Sequence, residues 1–335
     1  MGGAEGHDPN LTVAVAITTG IVAQALAQHL RMPGIVVLLA AGVLLGPDAL
    51  GIVHPEALGS SLESLVGFAV AVILFEGGMN LSIPRILRAN APIRRLITVG
   101  AAVTGVGATL AARAVMGWDW SLSLLFGTLV IVTGPTVVTP LLKRLKVERS
   151  IATVLEAEGV LIDPIGAIIA VVALETVLQP STDMVLWGVP GVIGRLGLGA
   201  IIGLVGGAVL SRVLRVRGLV PEGLTNVFTL SMVLVFFYVS DTVLPESGIA
   251  AVTIAGITVR YLGTPVEREL LEFKEQLTVL LIGMLFVLLA ADVRIADVQA
   301  LGWRGLGVAA VLALVVRPLG VAVSTLGTDL SWQQR

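Results

Sequence analysis

From about residue 150 to 178 the chain runs almost unbroken through apolar residues. Inside that run, LEAEGVLIDPIGAIIA (155–170) carries three carboxylates, Glu156, Glu158 and Asp163. A helix needs about 20 predominantly apolar residues to cross a bilayer, and this segment has them. An ionised side chain in hydrocarbon is costly, so each acid must be paired, protonated or bathed in water within a larger bundle. No single helix can supply that surrounding. Pro164 follows Asp163 directly and, having no N–H, leaves the carbonyl of Val160 without its helical partner. A buried acid beside freed backbone oxygen is what a cation or proton site requires.

The rest of the chain supplies the bundle. Of 335 residues, 56% are hydrophobic and 13% charged, against roughly a quarter charged in ordinary globular domains. That excludes a soluble fold and predicts an all-α polytopic membrane protein, with the lipid bilayer as its main partner. The net charge of −2 gives no attraction to nucleic acid. The absence of cysteine excludes disulfides and thiolate metal sites, and His7, His29 and His54 are too scattered for a transition-metal cluster. There is no phosphate-cradling loop, nucleophile elbow or zinc motif, so neither enzyme chemistry nor a bound cofactor is expected. The opening MGGAEGHDPN lacks the basic flank of a cleavable signal peptide.

About eleven spans are predicted, at residues 11–30, 33–52, 62–81, 96–116, 121–142, 150–178, 185–214, 224–244, 248–262, 277–293 and 305–326. Basic residues mark the cytoplasmic side. Arg31 follows span 1; Arg85, Arg88, Arg94 and Arg95 follow span 3; Lys143, Arg144, Lys146 and Arg149 follow span 5. Arg212, Arg215 and Arg217 follow span 7, and Arg260, Arg268 and Lys274 follow span 9. The alternate loops are mainly acidic, with Arg294 and Arg304 as exceptions. An outside N-terminus and a cytoplasmic C-terminus in the plasma (cell inner) membrane follow.

Slid on itself, the chain places Ile73-Leu74-Phe75 on Met284-Leu285-Phe286 and its glycine-rich fourth span on its eleventh. The two copies are seven spans apart and so lie in opposite orientations, an inverted repeat of the kind many secondary transporters share. Arg335 falls near the start of span 5 in this register. The second repeat is thus expected to be incomplete, lacking counterparts of spans 5 and 6.

Those two spans carry most of the polar chemistry. In span 5, Thr133-Gly134-Pro135 interrupts the helix: Gly134 weakens it, and Pro135 frees the carbonyl of Ile131. In a membrane such a break persists where protein or a water-filled cavity surrounds it. Thr133 adds a hydroxyl, a hard ligand suited to an alkali cation. Asp163, near the centre of span 6, is the acid expected to function. Pro164 beside it makes a second helix break. Glu156 lies on nearly the same face as Asp163 but about 10 Å away, and reads as an entrance residue or a snorkelling one. Glu158 points about 140° away from Asp163, which suits an ion pair. Arg317, in mid-span 11 before Pro318, needs an acid, with Glu158 and Glu76 as candidates. Glu76 closes span 3 as a cap or gate. Arg195 is the other deep arginine, or else sits near the outer end of span 7. The glycines of span 7 allow close helix contact and specify no substrate.

The stretches LFEGGMNL (74–81), TGPTVV (133–138), EAEGVLIDP (156–164) and VVRP (315–318) together resemble the monovalent cation/proton antiporters of the sodium/proton exchanger type. The resemblance runs over essentially the whole chain. It implies a homodimer, with spans 1–3 and 8–10 as scaffold and spans 4–6 and 11 as a mobile core. It also implies that Asp163 binds the transported Na⁺ or K⁺, or a proton, with Thr133 beside it, and that Glu158 and Arg317 form a structural pair. Three positions depart from the commonest pattern. Ile162 stands where relatives have Asn or a second Asp, Gly134 replaces an Asp, and Gly159 replaces a Ser. Relatives continue with two further helices, and many carry a cytosolic nucleotide-binding regulatory domain; both are expected to be absent here.

The expected division is residues 1–95 and 219–298 as scaffold, 96–180 and 299–335 as core, and 181–218 as linking helix. The expected function is exchange of Na⁺ or K⁺ for protons by alternating access, electroneutral because Ile162 leaves one titrating acid. A transport-incompetent scaffold of the same family is the alternative. A sodium-coupled organic-solute symporter would want more polar residues around the crossing.

Overall fold

The computed structural model describes residues 8–81, 84, 86, 90–134, 138, 142, 147–178, 182–216, 218–221, 223–263 and 267–326, with side chains at 90, 182–187, 267–272 and 274 left aside. Pro135 and the loop residues Arg85, Arg88, Lys143, Arg144, Lys146 and Arg217 lie outside the described residues, as do the side chains of Arg268 and Lys274. The described residues contain helices and no strand. In chain order the helices that match the predicted spans are α1 Pro9–His29, α2 Gly34–Leu45, α3 Ser60–Asn80, α4 Ala91–Met116 and α5 Trp120–Leu129. They continue with α6 Arg149–Leu178, α7 Thr182–Arg215, α8 Thr225–Val243, α9 Ser247–Leu262, α10 Glu267–Ala291 and α11 Ile295–Thr325. Seven of them hold stretches long and apolar enough to cross a membrane, and four shorter apolar helices fill the remaining predicted places.

The helix ends follow local chemistry. Asp8 caps α1 through the N–H of Asn10, and Asp119 caps α5 through Ser121 and Leu122. Gly117, at φ 74, closes α4. Within α11, Gly302 takes φ 52 and ψ −151, so regular helix is interrupted there before the segment that carries Arg317. Just ahead of that arginine, Leu312–Val316 widens into a π turn, and the N–H of Arg317 reaches back to the carbonyl of Leu312. Pro318, with no N–H to donate, cannot complete the helical bond to Leu314, so the chain lacks one regular bond where the turn widens.

Two compact units emerge: residues Met1–Glu76 with Arg268–Ala300, and Gly77–Glu267 with Leu301–Arg335. The first buries Leu38, Val53, Met284 and Leu288. Gln24 of α1 donates to the carbonyl of Val279 in α10 at 2.7 Å, and Asp48 accepts the N–H of Ile295 at 2.7 Å.

The second unit carries the predicted site. Its α7 and α9 pack backbone to backbone. A Cβ added at Gly199, Gly203 or Gly207 would lie 2.4, 2.4 or 2.8 Å from the carbonyl oxygens of Ser247, Ala251 and Ala255. The four-residue step on both helices makes this a small-residue seam. Arg215 closes the same pair by donating to the carbonyls of Leu262 and Gly263. Arg95, in α4, likewise donates to the carbonyl of Leu326 just past α11.

Candidate ion-binding site

Span 5 is interrupted near its middle, where its sequence predicts a break, and the described residues Val138 and Leu142 beyond it are helical again. Helix α5 finishes at Leu129, and residues 132–134 are non-helical. The β-branched run Val130–Thr133 is a poor helix former, and Gly134 before Pro135 is biased away from helical backbone. This irregular stretch lies directly on α6: a Cβ at Gly166 would come 2.5 Å from Val132. Glycine there lets residues 131–133 approach the helix within one turn of Asp163. Ile131 and the fully buried Ile162 pack with Ala101 in one apolar cluster.

Helix α6 runs unbroken through Pro164 from Arg149 to Leu178. The expected break at Pro164 is therefore corrected. A proline removes one hydrogen bond, and the turns packed on either side hold the helix together across that gap.

Around this crossing the side chains sort themselves. Thr133 donates its hydroxyl to Glu158 Oε1 at 3.0 Å. Arg317 Nη1 lies 3.9 Å from the same oxygen. The Glu158 side chain is 12% exposed and that of Arg317 36%. All three line a cavity of about 540 Å³, whose wall also includes Thr104, Ile162 and Thr325. Asp163 is not on that wall among the described residues; its Oδ1 is buried and has no hydrogen-bond partner among them. The structure thus brings Thr133, Glu158 and Arg317 together, and sets Asp163 one residue past Ile162, the cavity's apolar side. Glu156 is partly buried on α6, and Glu76 is buried near the end of α3. Gly134 lies in the irregular stretch.

Sequence reasoning missed one partner. Arg195 Nη2 holds Glu175 with a fork of 2.8 and 3.0 Å, joining α7 to α6. Position along the chain did not pair them: Glu175 stands close to the end of α6, whereas Arg195 lies more than three turns into α7.

An all-helical membrane fold in which an interrupted span lies against an acid-bearing one defines a secondary-transporter architecture. The chain matches the family described as "Sodium/hydrogen exchanger, transmembrane" over residues 13–335 and belongs to it. This is a family of transporters, not enzymes, and the chain is a multi-pass membrane protein. Among solved structures, the sodium proton antiporter MjNhaP1 from Methanocaldococcus jannaschii at pH 8 has the same fold, with a TM-score of 0.85. That match is 22% identical and covers 96% of this chain and 79% of the other. The K(+)/H(+) antiporter NhaP2 of Shewanella oneidensis is 28% identical over 316 residues, 93% of this chain and 54% of the relative. The "Probable Na(+)/H(+) antiporter 2" of M. jannaschii is 23% identical over 331 residues, with 93% and 76% covered. The chain thus spans about half the length of the Shewanella relative.

Proposed function

We propose that this chain exchanges a monovalent cation, Na⁺ or K⁺, for protons by alternating access, with Asp163 as the group that holds either one. The observation that carries the reading is the Asp163 Oδ1 atom, buried and unpartnered among the described residues in mid-span. A carboxylate so placed needs a proton or a cation, and one carboxylate holds one at a time. The named relatives include both Na⁺/H⁺ and K⁺/H⁺ antiporters, in support of both ions as substrates.

In this reading Glu158, Thr133 and Arg317 fix the geometry of the crossing. The Thr133 hydroxyl, already given to Glu158, turns to the cation when Asp163 binds one. Gly134 lies in the irregular stretch, which leaves backbone oxygen available there. Glu156 and Glu76 lie on the cytoplasmic approach. With Ile162 beside it, Asp163 is the one titrating acid, and exchange is one-for-one and electroneutral. Residues 96–180 and 299–335 move as the core against a dimeric scaffold of residues 1–95 and 219–298, with 181–218 linking them. That division follows motion, whereas the two compact units follow packing. The N-terminus faces outward and the C-terminus the cytoplasm, in the plasma membrane.

The test is proton movement driven by a Na⁺ or K⁺ pulse in proteoliposomes. It should vanish in Asp163→Asn; persistence would overturn the assignment. Net current under symmetric buffering would overturn electroneutrality alone.

A further inference from the structure

The fork between Arg195 and Glu175 has a further acid bearing on it, and that acid has another beside it. Glu246, just before α9, interacts with both members of the fork and, more strongly, with Asp241 near the end of α8. Two carboxylates therefore bear on one guanidinium, and Asp241 bears on the second of them; the carbonyl of Ser247, next to Glu246, lies against Gly199, one turn along α7 from Arg195. Arg195 holds Glu175 through Nη2, while its Nη1 is buried without a partner among the described residues.

The turn that presents Glu246 is fixed. Glu246 takes φ 67, an uncommon backbone for a residue with a side chain. The next residue, Ser247, donates to the carbonyl of Ser240 at 2.8 Å, and its hydroxyl lies 2.7 Å from that of Ser240. Behind the turn, α9 is seamed to α7 by glycine contacts. Arg195, Asp241 and Glu246 thus sit on one rigid frame, and Glu175 alone comes from α6. That helix also bears Asp163, which lies twelve residues or about 18 Å along it.

We propose that Glu175, Arg195, Asp241 and Glu246 form a proton-operated clasp, which fastens the Asp163-bearing helix to α7 when Glu246 is protonated and loosens when Glu246 ionises. The sign follows from the charges. An ionised Glu246 repels Glu175 and competes with it for Arg195, whereas a neutral Glu246 leaves the guanidinium to Glu175. Burial foremost, and the Asp241 charge next, hold Glu246 protonated to a higher pH than an ordinary glutamate; Arg195 opposes this and Glu175 adds to it. The proton taken up at Glu246 is regulatory and is not carried across. The consequence for transport, slower exchange when the clasp is fastened, rests on the antiport reading above.

The natural chain has no cysteine, so paired spin labels at Leu178→Cys on α6 and Val189→Cys on α7 report the clasp directly. Both positions are 70% exposed. In the full chain in lipid, the inter-label distance distribution should be narrow at acid pH and broaden as pH rises through the raised pKa of Glu246. Glu246→Gln should keep it narrow throughout, and Glu175→Gln should keep it broad throughout. A wild-type distribution that ignores pH, or a Glu246→Gln protein that still responds, would overturn the clasp. A second arm measures cation-driven proton flux against pH. Glu246→Gln should lose the alkaline rise, and the double variant Glu175→Gln/Arg195→Gln should lose the acid fall. A wild type without cation-driven flux defeats the antiport reading, while the label distances still decide the clasp.

Discussion

Thr133 Oγ1 donates to Glu158 Oε1 at 3.0 Å, and Arg317 Nη1 stands 3.9 Å from that same oxygen. One carboxylate oxygen therefore joins the irregular middle of span 5, the acid-bearing α6 and the π-wound segment of α11. The three meet on the wall of a largely apolar cavity, where a lost partner is poorly replaced by solvent.

Thr133→Val keeps the side-chain shape and removes the donor. An acceptor left short in such a place costs about 1–3 kcal/mol, so the thermal unfolding midpoint in detergent should fall. Thr133→Ser keeps the hydroxyl and should restore most of it. If the hydroxyl also turns to the cation, the valine variant raises the apparent KM for Na⁺ or K⁺ beyond what lower protein yield explains. An unchanged midpoint in Thr133→Val would show that the bond to Glu158 contributes little.

Removing either charge of the Glu158–Arg317 pair strands the other. Buried pairs broken in this way lose about 3–5 kcal/mol; the 36% exposure of Arg317 puts this one at the low end or below. Arg317→Gln and Glu158→Gln should each lower the unfolding midpoint, and the double variant should be less destabilised than the sum of the two. Strict additivity in that double-mutant cycle would mean that the two side chains do not interact.

The parts legible in the sequence were those set by one-dimensional periodicity. Among the described residues each of the eleven apolar runs holds a helix, seven of them long and apolar enough to cross a bilayer, because apolar runs in a membrane must satisfy their backbone internally. Glu158 and Arg317 could be named as partners because deep charges are rare and must meet. What was not legible depended on approach in space. The hydroxyl of Thr133 reaches Glu158 because Gly166 lets Val132 lie against α6, a contact that no spacing encodes. Pro164 looked like a break because its chemistry removes a bond, yet packing carries α6 through it. Glu175 was overlooked because, near the end of a span, it resembles an ordinary interfacial acid.

Glu56 offers a pH test outside the membrane-spanning helices. A backbone hydrogen bond, then His54 and Arg294, hold its carboxyl below the ordinary 4.5 despite some burial. His54 Nδ1 lies 3.3 Å from Glu56 Oε1. A group whose folded pKa is depressed stabilises the fold above its unfolded pKa, and that stabilisation fades as pH falls through the folded value. Glu56→Gln should therefore melt lower than wild type at neutral pH. The two should converge below about pH 4. A difference that persists unchanged into acid would assign the effect to shape and not to charge.

The seam between α7 and α9 predicts opposite signs for one substitution at two glycines of the same helix. At Gly203 a Cβ would fall 2.4 Å from the carbonyl oxygen of Ala251, and backbone cannot swing aside as a side chain can. Gly203→Ala should force the helices apart and cost about 1–3 kcal/mol, the usual penalty of overpacking. Gly197, six residues earlier, has nothing within 4 Å of its added Cβ. Alanine there gains helix propensity of up to about 1 kcal/mol, so Gly197→Ala should hold or raise the unfolding midpoint while Gly203→Ala lowers it. Because α7 carries Arg195, the same Gly203 variant should also blur the label distance between residues 178 and 189 at acid pH. Equal midpoints for the two alanine variants would mean that the α7–α9 contact yields to a methyl group, and that the frame holding Arg195 is softer than its geometry implies.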